Sequence, residues 1–195
     1  KSNLESKEGT FVTKALDQIE KLNSLISDLL DVSKIDNGKL KINKKPEDLE
    51  KLIHSTIDTI VQTHENINIQ IDRHIAKIDH LIPFDAIRIE QVLINFLTNA
   101  IKYSPDNHQI IVTTFVDEEE VKVSVTDFGI GIPDLKQDSV FRKFYRVEES
   151  PVQFQGMGIG LYICSEIIKQ HHGTIGLSSK LEEGSTFYFT LPLLN

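Results

Sequence analysis

The sequence holds a single cysteine, Cys164. No intrachain disulfide can form, which fits a reducing compartment, and the surrounding apolar run GLYICSEII marks this thiol as a core side chain. Long hydrophobic runs are missing too, since no stretch approaches the roughly 18 to 20 apolar residues of a membrane span. No N-terminal leader pattern is present. Because the first residue is Lys1, a longer parent is expected, for which an inner-membrane anchor stays open. Positive charge is also in short supply: 21 Lys and Arg face 29 Asp and Glu, for a formal net charge of -8. With no basic stripe, broad nucleic-acid binding is not expected.

Apolar residues from about Glu8 to Asp36, among them Phe11, Ile19, Leu22, Ile26 and Leu29, recur at spacings of three and four. This is the pattern of an amphipathic helix, here roughly 40 Å long. Its apolar stripe calls for partner helices from elsewhere in the parent or from a second subunit. DNGK, Asp36–Lys39, supplies the stop. The alternating KLKIN follows, then a helix over Asp48–His64 capped by Asp48 or a neighbour, a strand NIQIDRHI, and a short strand or turn in HLIPFD. Asp85 suits the N-cap of a helix over Ala86–Tyr103. QIIVTTFV, EVKVSVTDF, GTIGLSS and STFYFTLPL read as strands, the acidic DEEE as a solvated hairpin turn, and Ile159–Gln170 as an apolar helix. The resulting fold class is α/β, a two-layer sandwich with one mixed sheet covered by helices on one face and preceded by the long helix. The section between Gly129 and Gly158 is too long for an ordinary connector and suits a binding lid.

Within the Ala86–Tyr103 helix, NFLTNAIKYSP sets two carboxamides, Asn95 and Asn99, one turn apart, with Lys102 almost a turn further. DFGIGIP, Asp127–Pro133, ends an apolar strand in a carboxylate and two alternating glycines, which permit close approach of backbone to a ligand. GMGIGL, Gly156–Leu161, opens a helix whose first amides can receive phosphate oxygens. It matches neither the phosphate loop with GK[ST] nor a dinucleotide fingerprint, which needs a preceding strand. Together these elements suit one magnesium nucleotide site: amide oxygens for a hard cation, a lysine for phosphate charge, and an Asp to accept from an exocyclic amine.

NFLTNAIKYS resembles the N box of sensor histidine kinases, DFGIGIP their first glycine box, VFRKFYR their phenylalanine box and GMGIGL their second glycine box. All four stand in the family's order, and GSTFYFTLPL resembles its terminal strand. The resemblance implies a Bergerat-type ATP-binding fold over residues 39–195, with a lid at about 133–157. Residues 1–38, through QIEKLNSLISDLLDVSKIDNGKL, resemble the second helix of the dimerisation and phosphoacceptor domain. Gyrase-type ATPases, chaperones of the ninety-kilodalton class and mismatch repair ATPases share the fold.

Carried over by position, the resemblance makes Asn99 the principal magnesium ligand, with Asn95 holding the adjacent water, metal or phosphates. Lys102 would meet the phosphates and Tyr103 the base. Asp127 would bind the adenine amine, with Gly129, Gly131 and Ile132 around it. Phe141 and Phe144 would anchor the lid, and Arg146 would contact phosphate during transfer. Gly156, Gly158, Gly160 and Leu161 would form the hinge and the phosphate-facing helix start, and Thr186 would support the base pocket. The implied cofactors are ATP or ADP with Mg2+. The implied partners are a response regulator receiver domain and the parent's phosphoacceptor helical domain, in a bacterial homodimer whose kinase portion is cytoplasmic.

Hydrolases of this fold carry a glutamate at the position of Asn95; an amide there favours transfer to a histidine over hydrolysis. No acceptor is present, because none of the seven histidines has the family's acceptor context. His171 and His172 read as capping residues near a helix end, favoured by its dipole. The chain is therefore expected to bind nucleotide without autophosphorylating. The alternative is a nucleotide-binding regulatory module that signals through lid conformation. An anti-sigma type serine kinase leaves the N-terminal helix without a role.

Overall fold

The computed structural model describes residues 2–64, 70–74, 77–78, 81–105, 107, 109–147 and 157–193. They form two units, Lys1–Leu40 and Lys41–Asn195. The first is helix α1 (Ser2–Asp36). It begins ahead of the expected Glu8, because the apolar repeat that reveals it starts only at Phe11. Gly38, at φ 63°, closes it: the Gly38 amide donates to Ile35 O at 2.9 Å and the Lys39 amide to Lys34 O at 2.7 Å. This left-handed cap is cheap for a residue with no Cβ. Along α1 the apolar side chains of Ile19, Leu22, Ile26 and Leu29 are exposed. No helix among the described residues is long and apolar enough to cross a membrane.

The second unit runs β1 (Lys45–Glu47), α2 (Leu49–Thr63), β2 (Gln70–His74), β3 (Ile82–Phe84), α3 (Ala86–Tyr103), β4 (Gln109–Val116), β5 (Glu120–Asp127), α4 (Asp134–Gln137), α5 (Gly160–Gln170), β6 (Ile175–Lys180) and β7 (Gly184–Pro192). The main sheet has the order β2-β4-β5-β7-β6. Only β2 and β4 run parallel; the other neighbours are antiparallel, so the sheet is mixed as expected. The alternating KLKIN forms no ladder; β1, just after it, pairs with β3 in a separate two-stranded sheet. Asp48 and Asp85 cap α2 and α3, accepting from the amides of Lys51 at 2.9 Å and Arg88 at 3.2 Å. In the β4–β5 hairpin, Asp117 Oδ1 accepts the amides of Glu119 and Glu120, both at 2.9 Å, so the acidic turn is held by its own backbone.

α3 packs on β4 and β5, α5 on β6 and β7, and α2 on α3. The apolar faces meet around Phe96, whose ring lies 5.5 Å from that of Phe187 and 6.2 Å from that of Phe189. Cys164 is buried in this core, as its apolar setting predicts.

His171 is the C-cap of α5, as its place before Gly173 suggests. It is buried, and its Nε2 accepts the Asp85 amide at 3.0 Å while Nδ1 lies 2.9 Å from Ile167 O. With an N–H donating into Nε2, the proton sits on Nδ1 and the ring is neutral. Burial holds its pKa below the usual histidine value, against the pull of the Ile167 carbonyl. Lys44, whose Nζ donates to His171 O at 3.4 Å, and His172 act with burial, while Asp85 opposes it. The unfolded chain thus binds this proton more readily than the fold does, so stability rises with pH through the window just below the ordinary value of about 6.5. Thermal melts are expected to show a loss of stability from about pH 7 to about pH 5 that His171→Gln flattens. An equally steep loss in the variant would remove His171 as its source.

Candidate functional site

On α3, the spacing of four places Asn95 and Asn99 on one flank, beside the buried stripe of Val92, Phe96 and Ala100. Both amides are half-buried, and Asn99 Nδ2 donates to Asn95 Oδ1 at 3.0 Å. This bond occupies the oxygen of Asn95 and fixes Asn99 with its nitrogen toward Asn95, so its own oxygen is the one left to offer. Further along the helix, Lys102 Nζ lies 4.9 Å from the centre of the Tyr103 ring.

α5 begins against Asn95. A Cβ on Gly160 would sit 2.3 Å from Asn95 Nδ2, so a side chain there would displace the amide. The N-cap is Ile159, which makes no side-chain cap bond. The first-turn amides of α5 therefore get no oxygen from the residue that usually supplies one, and their partial positive charge favours an anion. Gly158, at φ 67°, packs on the carbonyl of Tyr145 and the stem of Arg146, drawing these lid residues to the same helix start. Gly156 and positions 148–156 of the expected lid lie outside the described residues.

Asp127 ends β5 and is only 4% exposed. Its Oδ1 accepts three bonds: from the Gly129 amide at 2.9 Å, the Ser185 amide at 3.3 Å and the Ser104 hydroxyl at 3.3 Å. Oδ2 receives none from the described residues. Burial pushes the carboxyl above its ordinary range, while the three donors pull it back. Gly129 is required by space, since a Cβ would lie 2.1 Å from Tyr103 O, and Gly131, at φ 65°, is similarly tight on Lys180 O. The Ile132 amide donates to Ser179 Oγ at 2.8 Å, and Gln137 Nε2 donates to both Ile132 O and Ser179 O, at 3.0 and 2.8 Å. The segment after Asp127 is thereby pinned to β6.

Thr186 is not brought to this carboxylate. It is paired with Thr126 through their hydroxyls at 2.9 Å, on the sheet face opposite Phe187 and Asp127. Strand alternation turns its neighbour Ser185 toward Asp127 instead, and the Ser185 hydroxyl lies 2.9 Å from that of Ser179. The period-two pattern of STFYFTL carried this information, because Ser185 shares parity with the core residues Phe187 and Phe189. Ser104, also absent from the expected site, is the C-cap of α3 and is buried. No local sequence signal marks it.

Of the two lid phenylalanines, Phe141 does anchor: its ring meets Phe187 edge-on at 6.4 Å. Phe144 is 58% exposed and has a left-handed backbone at φ 62°, a conformation rare for a bulky residue, so it fills no core. Leu161 lies half-buried in the first turn of α5. Among the described residues no cluster of three or more His, Cys, Asp or Glu side chains could hold a metal. The oxygen donors fitting a hard cation are amide oxygens, and magnesium accepts such a small protein share when phosphates and water complete its shell.

Residues 84–195 match the family model described as histidine kinase-, DNA gyrase B-, and HSP90-like ATPase. The chain is 34% identical over 185 residues to the sensor histidine kinase WalK of Bacillus subtilis, covering 93% of this chain and 30% of that protein. It is 33% identical over 177 residues to the adaptive-response sensory kinase SasA of Gloeothece citriformis, covering 90% and 45%. The chain thus spans less than half the length of these curated relatives. Among solved structures, the Acinetobacter baumannii histidine kinase AdeS aligns with a TM-score of 0.75 at 25% identity, covering 92% of this chain and 82% of that one. The catalytic domain of histidine kinase ThkA aligns at 0.66 with 28% identity, covering 79% and 99%.

Proposed function

As this chain belongs to the family of histidine kinase-, DNA gyrase B- and HSP90-like ATPases, we propose that it is the ATP-binding catalytic core of a sensor histidine kinase. In this reading it delivers the γ-phosphoryl group of ATP to a histidine on a helical segment outside the chain, for onward transfer to an aspartate of a response regulator. The observation that carries the choice of acceptor is the Asn95–Asn99 amide pair. A carboxylate at 95 could take a proton from water, whereas an amide has no useful basicity and can only orient what it touches. The site is built to position a phosphoryl group rather than to activate a hydrolytic nucleophile.

Asp127 would accept the base amine, Tyr103 and Ile132 would flank the ring, and Lys102, Arg146 and the first amides of α5 would offset phosphate charge. Asn99, with Asn95 beside it, would hold the magnesium ion, which when bound neutralises charge on the phosphates. The exposed apolar stripe of α1 calls for a second helix, in keeping with a homodimeric parent whose acceptor lies on the partner element. Since the phosphoryl donor is ATP, the proposed working compartment is the cytoplasm.

The test supplies radiolabelled ATP, magnesium and a separate polypeptide bearing the family's acceptor helix. Labelling of its histidine is the expected outcome. Nucleotide binding without transfer would favour the regulatory module instead.

A further inference from the structure

We propose that Ser104 is a positioning residue for base selection: its hydroxyl, with the amides of Gly129 and Ser185, occupies Asp127 Oδ1 and leaves Oδ2 as the oxygen offered to the ligand. This rests on the nucleotide-binding reading above and assigns part of its selectivity to a side chain that touches no ligand. The three donors come from three separate places, the C-cap of α3, the turn after β5 and the start of β7. Together they fix the rotation of the carboxyl group. They also stabilise its ionised form, because each is a donor and a charged oxygen is the stronger acceptor.

Ionisation decides what the site can read. An ionised carboxylate only accepts, so Oδ2 matches an exocyclic amine and repels a ring carbonyl; a protonated carboxyl could donate to that carbonyl and blur the distinction. Burial already favours the protonated form, and the Ser104 hydroxyl is one of the three groups opposing it. Of these, it is the one a side-chain substitution can remove. The titratable groups next in sequence to the three donors are Lys102 and Tyr103 on α3 and Glu183 ahead of β7, the last paired with Lys180. None of them is a cause of the Asp127 shift. Ser104 is 1% exposed, so no water replaces a missing hydroxyl without rearrangement.

The experiment compares the wild-type chain with Ser104→Ala and Ser104→Thr, the latter keeping the hydroxyl. The Asp127 carboxyl is titrated by NMR without nucleotide, and binding of ADP and of inosine diphosphate, which has a carbonyl in place of the amine, is measured by calorimetry from about pH 5 to about pH 8. In Ser104→Ala the carboxyl midpoint is expected to rise by about one pH unit, with the acid limb of ADP binding moving alike. The preference for ADP over inosine diphosphate should shrink about tenfold. Ser104→Thr should stay near wild type on all three readouts. An unmoved midpoint and unchanged preference in Ser104→Ala, alongside normal ADP binding by wild type, overturns the role of Ser104 alone. A wild-type chain that binds neither nucleotide overturns the nucleotide reading and base selection with it, whatever the carboxyl midpoint does.

Discussion

Asp127→Asn is expected to remove ADP binding, by at least about 100-fold in calorimetry or roughly 3 kcal/mol, while leaving the fold as stable as before or more so. The loss follows from donor geometry. Three donors converge on Oδ1, so the Asn oxygen is held at that position and its NH2 group takes the place of Oδ2. A base amine would then meet a second amine with no acceptor between them. The stability sign comes from the carboxyl itself. Burial raises its pKa, so the folded chain holds this proton more tightly than the unfolded chain, and ionising it costs stability as pH rises above the ordinary carboxylate range. Asn removes that cost at neutral pH. Affinity equal to wild type would remove Asp127 from the base contact, and a collapsed melting transition would show the carboxylate to be structural.

The second large effect is expected from Asn99→Ala. Phosphoryl transfer to the added acceptor helix should fall by about 100-fold or more, and ADP affinity should lose its response to magnesium. Asn99 makes its bond to Asn95 through nitrogen, which leaves the oxygen as its contribution to a cation shell. Because both amides are half-buried, the freed Asn95 oxygen can turn to water, so the change should cost little stability. Calorimetry with and without magnesium is the decisive measurement. A magnesium response of wild-type size in the variant would assign the metal to other groups.

The legible parts were those with a local period or spacing. The caps at Asp48 and Asp85, the α3 stripe, the strands and the uncapped glycine-rich start of α5 all follow from residues within a turn or two of one another. What the local pattern left open has separate physical reasons. His171 caps α5 as read, but the Asp85 amide, 86 positions away in sequence, makes its ring neutral, so the helix dipole meets no charge there. The two lid phenylalanines, alike in the sequence, differ in the structure: Phe141 meets Phe187, whereas Phe144 is exposed. For Thr186 the local signal is strand parity, which places Ser185 on the core side and Thr186 on the other face.

By itself the sequence determined the element types, the order of the four boxes and the amide chemistry at positions 95 and 99, because helix pitch, strand alternation and side-chain basicity are local properties. Only the tertiary structure decided how Asp127 is loaded. The Gly129 amide is two residues from Asp127, but Ser104 and Ser185 are 23 and 58 positions away, and their donors join it on one oxygen only when α3, β5 and β7 pack together. Which oxygen of a carboxylate remains to accept depends on where every donor lies in space, and no spacing along the chain encodes that.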